Sequence, residues 1–172
     1  MGLLTEWAAL IVFPSLMAYA AACDFLTMTI SNRVSIALVA AFVLIALISG
    51  LSVHDILVFH LACGAAVLVL TFGLFAFGWI GGGDAKLAAA TAVWLGWEHL
   101  FDYGLEASVL GAALTIGILY FRKYRLPPQL STTAWAARLH AAGNGVPYGI
   151  ALAIAGLVLY PETAVWVAVG AA

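Results

Sequence analysis

Long apolar runs, separated by short polar connections, dominate this 172-residue chain. Hydrophobic residues make up 66% of it and charged residues only 8%, and the mean hydropathy is +1.13. A soluble domain has about a quarter of its residues charged, and a disordered segment is more polar still. The chain is therefore predicted to be a membrane protein with no room for a separate soluble catalytic domain. Its net charge of −2 provides no basic surface for nucleic acid, so the lipid bilayer is the expected environment.

The runs predict an all-α, polytopic membrane bundle of about six transmembrane helices, formed by a single domain over 1–172. At about 20 residues per span, six helices need about 120 residues. The short polar breaks suit loops at the membrane surface. The fourth run starts on Asp84 and merges into polar residues, which leaves open a short or half-buried helix. The predicted spans are 3–23, 34–51, 56–79, 85–101, 104–121 and 147–170.

The first run has no Lys or Arg before it, since the first basic residue is Arg33. It is therefore predicted to be a retained span and not a cleaved signal peptide. Cys23 and Cys63 form no CxxC pair and are interpreted as small packing residues. The four histidines show no recognised ligand spacing, so no metal is predicted, and no cofactor either.

Positive charge is distributed unevenly over the predicted connections. With six spans, the connections 24–33, 80–86 and 122–146 fall on one side and hold every basic residue. Because cytoplasmic connections collect Lys and Arg, this side is assigned to the cytoplasm and both chain ends to the outside. The basic residues are Arg33, Lys86, Arg122, Lys123, Arg125 and Arg138.

The 122–146 connection is predicted to be a cytoplasmic loop that contains a short helix. The stretch 131–142 offers Ser131 or Thr132 as a helix cap and places Trp135 on one face. This pattern is compatible with a helix lying on the membrane surface. We interpret it as an anchor, with contact to a substrate as the alternative.

Two carboxylates, Asp24 and Asp84, fall on the basic side, whereas the other six acidic residues fall on the opposite side. The plain interpretation is an ion pair of Asp24 with Arg33 and a helix N-terminus for Asp84. Ionisable residues at such depth are costly, however, and are candidates for function. Two adjacent carboxylates cannot both ionise easily, so one keeps a proton while the other acts as a base. Such a dyad can activate water and protonate a peptide carbonyl or leaving amine.

Three glycines, Gly81 to Gly83, precede Asp84. Without side chains they allow the close approach of another chain, which a peptide substrate beside the carboxylate requires. Lys86 lies two residues beyond Asp84, so the two do not face each other on a helix. Its amine either extends to the lipid headgroups or contacts an acidic group of a substrate.

The stretch from Gly81 to Lys86, GGGDAK, resembles the GxGDxK motif of type IV prepilin peptidases, which are membrane aspartic proteases. Asp24 with the downstream Ile30-Ser31-Asn32 resembles the first aspartate of that family with its Ile-Pro-Asn. Pro147-Tyr148-Gly149 resembles the segment that opens the last span in the short members, the TadV/CpaA type of tight-adherence (Flp) pilus systems. Together these stretches extend over nearly the whole chain.

The resemblance implies that Asp24 and Asp84 are the catalytic pair of an endopeptidase. It would cut the short basic leader from Flp-like prepilins or pseudopilins at the cytoplasmic face of the bacterial inner membrane. Ser31 departs from the usual proline, and the cysteine-rich module with two CxxC pairs of longer members is absent from this sequence. Cleavage without N-methylation is therefore predicted. The residues expected to support the geometry or bind substrate are Asn32, Gly81, Gly83 and Lys86.

Two other functions use the same features. A proton-coupled small transporter or channel also needs membrane carboxylates, but it predicts acids near the middle of the bilayer on a path open in turn to both faces. A non-catalytic assembly partner of a pilus machine would tolerate the loss of both aspartates and depend on its helix-packing surfaces instead.

Overall fold

The computed structural model describes residues 2–170, without the side chains of 2–6, 128, 169 and 170. These residues form helices and connections, with no strand among them, which confirms the predicted all-α class. The boundaries differ from the predicted spans in ways that bear on the position of the two aspartates.

Helix α1 (Gly2–Thr27) continues beyond the predicted end of the first span at 23. Asp24 therefore lies inside the last turn of the helix and does not follow it. The chain leaves the helix at Met28, whose φ of 52° lies in the left-handed region. Helix α2 (Asn32–Ile48) begins directly after Ser31, which caps it. The Oγ of Ser31 accepts a hydrogen bond from the backbone N–H two residues further along the chain.

The third predicted span is one continuous helix made of α3 (Val53–Asp55), a π-helical stretch (Ile56–Leu61) and α4 (Ala62–Ala76). It ends before the predicted residue 79. His60, in the π-helical stretch, is buried, and its Nδ1 lies 2.9 Å from the carbonyl oxygen of Val93. This histidine therefore joins α5 to the third span.

The fourth predicted span, 85–101, is shorter than expected. Helix α5 (Gly82–Leu95) has 14 residues, which give a length of about 21 Å. Gly96, with a φ of 69°, ends it, and α6 (Leu100–Phe121) starts before the predicted residue 104. All side chains of α5 from Leu87 onward are buried, so this helix is enclosed by its neighbours.

The 122–146 connection contains α7 (Pro128–Ser131) and α8 (Ala134–His140). The predicted cap at Ser131 or Thr132 is wrong, because α8 begins after Thr133 and has no side-chain cap. Residues 131–133 all carry hydroxyl groups, so the sequence alone does not show which of them precedes the helix.

The last predicted span, 147–170, is interrupted. Helix α9 (Gly149–Leu159) passes into a 3₁₀ turn (Tyr160–Glu162), and α10 (Ala164–Gly170) follows. Pro161 lacks the N–H that would continue the helical hydrogen bonds and ends α9.

Four stretches of the described residues are long and apolar enough to cross a membrane. This agrees with an integral membrane protein, whereas the predicted count of six spans is not confirmed, because α2 and α5 have only 17 and 14 residues. The four stretches are Trp7–Thr27, Val53–Ala76, Leu100–Phe121 and Gly149–Ala168.

Helix α5 lies at the centre and packs against α2, α4 and α9, while α1 packs against α2 and α9. Trp94 is fully buried and donates its Nε1–H to the carbonyl oxygen of Leu38 at 2.9 Å. The rings of Phe13 and Tyr160 stack at 4.5 Å beside it. This packing holds α5, whose first turn carries Asp84, in the middle of the bundle.

Gly64 allows α4 to pack closely on α5. A Cβ at this position would overlap Cγ2 of Val93 and lie 3.0 Å from the carbonyl oxygen of Ala89. We expect Gly64→Ala to lower the free energy of unfolding by about 1–3 kcal/mol, because the two helices would have to separate. The change is measured by denaturation in detergent micelles.

Gly73→Ala is the matched control on the same helix, since nothing lies within 4 Å of its added Cβ. It should be neutral or stabilising by up to about 1 kcal/mol. Equal destabilisation by the two substitutions would contradict the close packing at Gly64.

Candidate functional site

A cavity of about 220 Å³ lies where the end of α1, the turn that follows it and the start of α5 meet. Asp24 and Asp84, far apart in the sequence, both line it. The structure thus brings together the two acids that the charge distribution singled out. The other lining residues are Met28, Thr29, Ile30, Gly81, Gly82 and Gly83.

Asp24 is only 5% exposed. Its Oδ2 accepts a hydrogen bond of 2.7 Å from the backbone N–H of Gly149. The alternative interpretation, an ion pair with Arg33, is not found, and no base pairs with Asp24 among the described side chains. A backbone amide, and not a neighbouring cation, therefore orients this carboxylate.

Asp84 lies half-buried in the first turn of α5. Its Oδ2 would be 2.8 Å from a Cβ at Gly81, so a side chain there would displace the carboxylate. A Cβ at Gly83 would lie 3.2 Å from Cβ of Ile30, in the turn after α1. Gly81 therefore leaves room for the carboxylate of Asp84, and Gly83 allows the start of α5 to lie close to the turn after α1.

Gly149 closes the site from the start of α9. A Cβ at this position would lie 2.8 Å from Oδ2 of Asp24 and 2.6 Å from Cδ1 of Ile30. The sequence indicated this residue only as part of a resemblance, and its contact with Asp24 was missed. Apart from that resemblance, the sequence offered only a glycine at the start of an apolar run.

The connection that leads to Gly149 is held in place by Arg122, at the end of α6. Its Nε donates to the carbonyl oxygen of Leu139 at 2.7 Å. Its Nη2 donates to the carbonyl oxygens of Asn144 at 3.0 Å and Gly145 at 2.9 Å. One guanidinium group therefore fixes the stretch of chain that delivers Gly149 to Asp24.

Helix α8 packs on the end of α1. The rings of Trp135 and Phe25 lie 5.1 Å apart, and Nη1 of Arg138 donates to the carbonyl oxygen of Leu26. The segment predicted as a membrane-surface anchor therefore contacts the helix that carries Asp24.

Asn32 and Lys86 lie outside the cavity. The amine of Lys86 donates to Oδ1 of Asn32 at 2.8 Å, which joins the start of α2 to the first turns of α5. Of the predicted site residues, the structure thus collects Asp24, Asp84, Gly81 and Gly83 in one cavity, and pairs the other two beside it.

Two carboxylates in one small cavity cannot both carry a charge at low cost, so we expect the pair to hold a proton. Such a pair has a base for a water molecule and an acid for the group under attack. Over residues 2–170, no cluster of three or more His, Cys, Asp or Glu side chains is placed to bind a metal ion. Two carboxylates in this arrangement are able to act as an acid and a base.

Comparison with known proteins gives two matches. The sequence model of the type IV leader peptidase family matches residues 11–116, which contain both aspartates. A prepilin leader peptidase/N-methyltransferase of Aeromonas hydrophila is 34% identical over 79 residues. The aligned stretch covers 46% of this chain and 22% of that relative, so the match spans about a fifth of the relative's length. No solved structure matches the chain significantly.

Proposed function

Since the chain belongs to the type IV leader peptidase family, we propose that it is a membrane-embedded aspartic endopeptidase that removes the leader from type IV prepilins. The observation that carries this proposal is the single cavity lined by Asp24 and Asp84. The family match supports prepilin processing, and the two carboxylates provide the groups that hydrolysis of a peptide bond needs.

In the proposed reaction the ionised carboxylate takes a proton from water as the water oxygen attacks the carbonyl carbon of the cut bond. The protonated carboxylic acid gives its proton to the carbonyl oxygen, which forms a neutral tetrahedral intermediate. When the C–N bond breaks, the leaving amine takes one proton and the regenerated carbonyl group loses another to the pair. Asp24 and Asp84 share these roles, and the Gly149 amide keeps Asp24 oriented throughout.

We further propose that the cavity faces the cytoplasm of the bacterial inner membrane, with both chain ends outside. The basic connections converge on the cavity end of the bundle, since Arg138 contacts Leu26 of α1 and Lys86 contacts Asn32 of α2. Enrichment of Lys and Arg on cytoplasmic connections supports this orientation.

The proposed substrates are Flp-like prepilins and pseudopilins, supported by the resemblance around Pro147, Tyr148 and Gly149. Cleavage without N-methylation is proposed because Cys23 and Cys63 lie in separate helices and form no CxxC pair.

The test is incubation of the purified protein, in lipid vesicles, with a purified Flp-type prepilin. We expect a shorter product on a gel. N-terminal sequencing should find a new N-terminus, and the measured mass should show no added methyl group. An uncut prepilin in the presence of folded protein would contradict the proposed activity. That result would favour the proton-coupled small transporter or channel, or the non-catalytic assembly partner of a pilus machine.

Arg122 is expected to act as a positioning residue through the connection that ends at Gly149. Arg122→Gln removes the donors to three carbonyl oxygens. We expect kcat for prepilin cleavage to fall by about 10- to 100-fold, because a small displacement of a reacting group is enough for such a loss. KM should change by less than about twofold, since the residue does not line the cavity.

Lys123→Gln is the matched control, because it removes the same charge from an exposed neighbour. It should cleave like the wild type. Arg122→Lys should recover part of the rate, since an amine still reaches one carbonyl. Equal rates for Arg122→Gln and Lys123→Gln would rule out the positioning role.

A further inference from the structure

Tyr148, the residue before Gly149, joins the start of α9 to α6. Its Oη donates a hydrogen bond of 3.1 Å to the carbonyl oxygen of Ala107, on α6. Its partly buried ring packs against the apolar core, so both the apolar and the polar part of the side chain have partners. Pro147, directly before it, is fully buried, and its ring fixes the backbone angle φ. The chain therefore enters α9 from a defined position.

Gly111 provides the space for the ring of Tyr148. It is buried on α6 and lies four residues after Ala107, on the same face of the helix. A Cβ at Gly111 would lie 2.0 Å from Cζ, 2.1 Å from Oη and 2.2 Å from Cε2 of Tyr148. Glycine weakens a helix relative to alanine. The close approach of the tyrosine ring explains why a glycine stands at this position.

The start of α9 contacts both aspartates. Gly149 is the first residue of α9, so its N–H has no partner within the helix. This N–H donates instead to Oδ2 of Asp24, at 2.7 Å. The side chain of Tyr148 is close enough to the carboxylate of Asp84 for the two to interact electrostatically. A shift of Tyr148 would therefore move the amide that orients Asp24.

Tyr148 holds the connection at a different level from Arg122. Ala107 and Arg122 are 15 residues apart on α6, which corresponds to about 22 Å along the helix axis. Arg122 binds carbonyl oxygens only as far as Gly145, four residues before Gly149. The last residues before the amide are thus fixed by the contact of Tyr148 with α6.

We propose that Tyr148 is a positioning residue of the peptidase. Its ring in the space at Gly111 and its hydrogen bond to Ala107 fix the Gly149 amide, and this amide orients Asp24. The inference rests on the proposed function, because it assigns Tyr148 a role in the rate of prepilin cleavage. Tyr148 is not among the residues that line the cavity, so it acts through Gly149.

Tyr148→Phe removes only the hydroxyl group. We expect kcat for prepilin cleavage to fall by about three- to tenfold and KM to change by less than about twofold, because Asp24 is displaced slightly while the cavity keeps its lining. Tyr120→Phe is the matched control, since Tyr120 is an exposed tyrosine of α6. It should cleave like the wild type.

Gly111→Ala tests the space for the ring. The added Cβ would displace the tyrosine ring, so kcat should fall by about tenfold. Tyr148→Leu should itself lower kcat, but leucine lacks the ring atoms that the Cβ would meet. Gly111→Ala should therefore cost less than about a further twofold when Tyr148→Leu is already present. Gly117→Ala, with nothing within 4 Å of its added Cβ, should leave kcat unchanged in both cases.

Hydrogen exchange of the Gly149 amide, measured by NMR in detergent micelles, reports the positioning without any substrate. Tyr148→Phe should speed this exchange by about three- to tenfold, because the hydrogen bond to Asp24 protects the amide. The amide of Ala155, in the buried middle of α9, should exchange at the wild-type rate. A general loss of packing would speed both. Since Tyr148→Phe keeps the ring, it serves should Gly111→Ala not fold.

Two results would overturn the proposal. One is an equal loss of kcat from Gly111→Ala with and without Tyr148→Leu. The other is a Tyr148→Phe variant whose Gly149 amide exchanges as in the wild type, or no more affected than that of Ala155. If the wild type does not cut prepilin at all, the proposed function fails, whereas the exchange of the Gly149 amide still shows whether Tyr148 positions it.

Discussion

Replacing either Asp24 or Asp84 by asparagine is expected to lower kcat for prepilin cleavage by about 10²- to 10⁴-fold. Asparagine has nearly the shape of aspartate but cannot take or give the proton that the reaction moves. Both acids line one cavity, so the loss of either leaves the other without its partner. Initial rates of the purified variants in lipid vesicles measure the effect, with helical content recorded by circular dichroism.

Asp102→Asn is the control for this experiment, because Asp102 is an exposed acid of α6 that does not line the cavity. Its rate should equal that of the wild type. If Asp24→Asn or Asp84→Asn trims the leader at the normal rate, that residue is not part of the catalytic pair.

The second large effect is expected for Gly149→Ala, which we predict to lower kcat by about 10²-fold. The added Cβ would lie 2.8 Å from Oδ2 of Asp24 and 2.6 Å from Cδ1 of Ile30, so the carboxylate has to move away. The hydrogen bond from the Gly149 amide would lengthen or break. The rate of prepilin cleavage and the thermal midpoint of unfolding are measured together.

Gly143→Ala is the matched control in the same connection, since nothing lies within 4 Å of its added Cβ. It should cleave normally. A Gly149→Ala variant that cleaves as fast as Gly143→Ala would show that the amide contact does not orient Asp24.

The proximity of Asp24 and Asp84 was predictable because charge is scarce in this chain. Only 8% of the residues are charged. Once every basic residue was assigned to one side of the membrane, only two acidic residues fell on that same side. The structure lines one cavity with both of them. The all-α class followed from the apolar runs, because few other arrangements satisfy the backbone hydrogen bonds of such a sequence in a membrane.

The boundaries around the site were less predictable. Helix α1 extends to Thr27 and the chain then turns at Met28, a residue type that rarely adopts a positive φ. No local pattern identifies such a position, because tertiary contacts impose it. The short length of α5 depends likewise on Gly96, whose positive φ ends the helix inside an apolar stretch.

The contact of Gly149 with Asp24 was beyond sequence reasoning for a different reason. A backbone N–H carries no side-chain signature, and its position depends on Arg122 and the carbonyl oxygens that Arg122 binds. The sequence indicated Lys86 and Asn32 only as polar residues near the aspartates. Only the structure relates them to each other, through the hydrogen bond from the Lys86 amine to Oδ1 of Asn32.

The central claim is that Asp24 and Asp84 act as one catalytic unit. It is tested most directly by the cleavage rate of the double variant Asp24→Asn/Asp84→Asn, measured beside the two single variants on the same prepilin. If the two carboxylates work as a unit, the double variant falls to the same residual rate as the singles, because either substitution already disables the pair. A double variant whose loss is the product of the two single losses would contradict the claim.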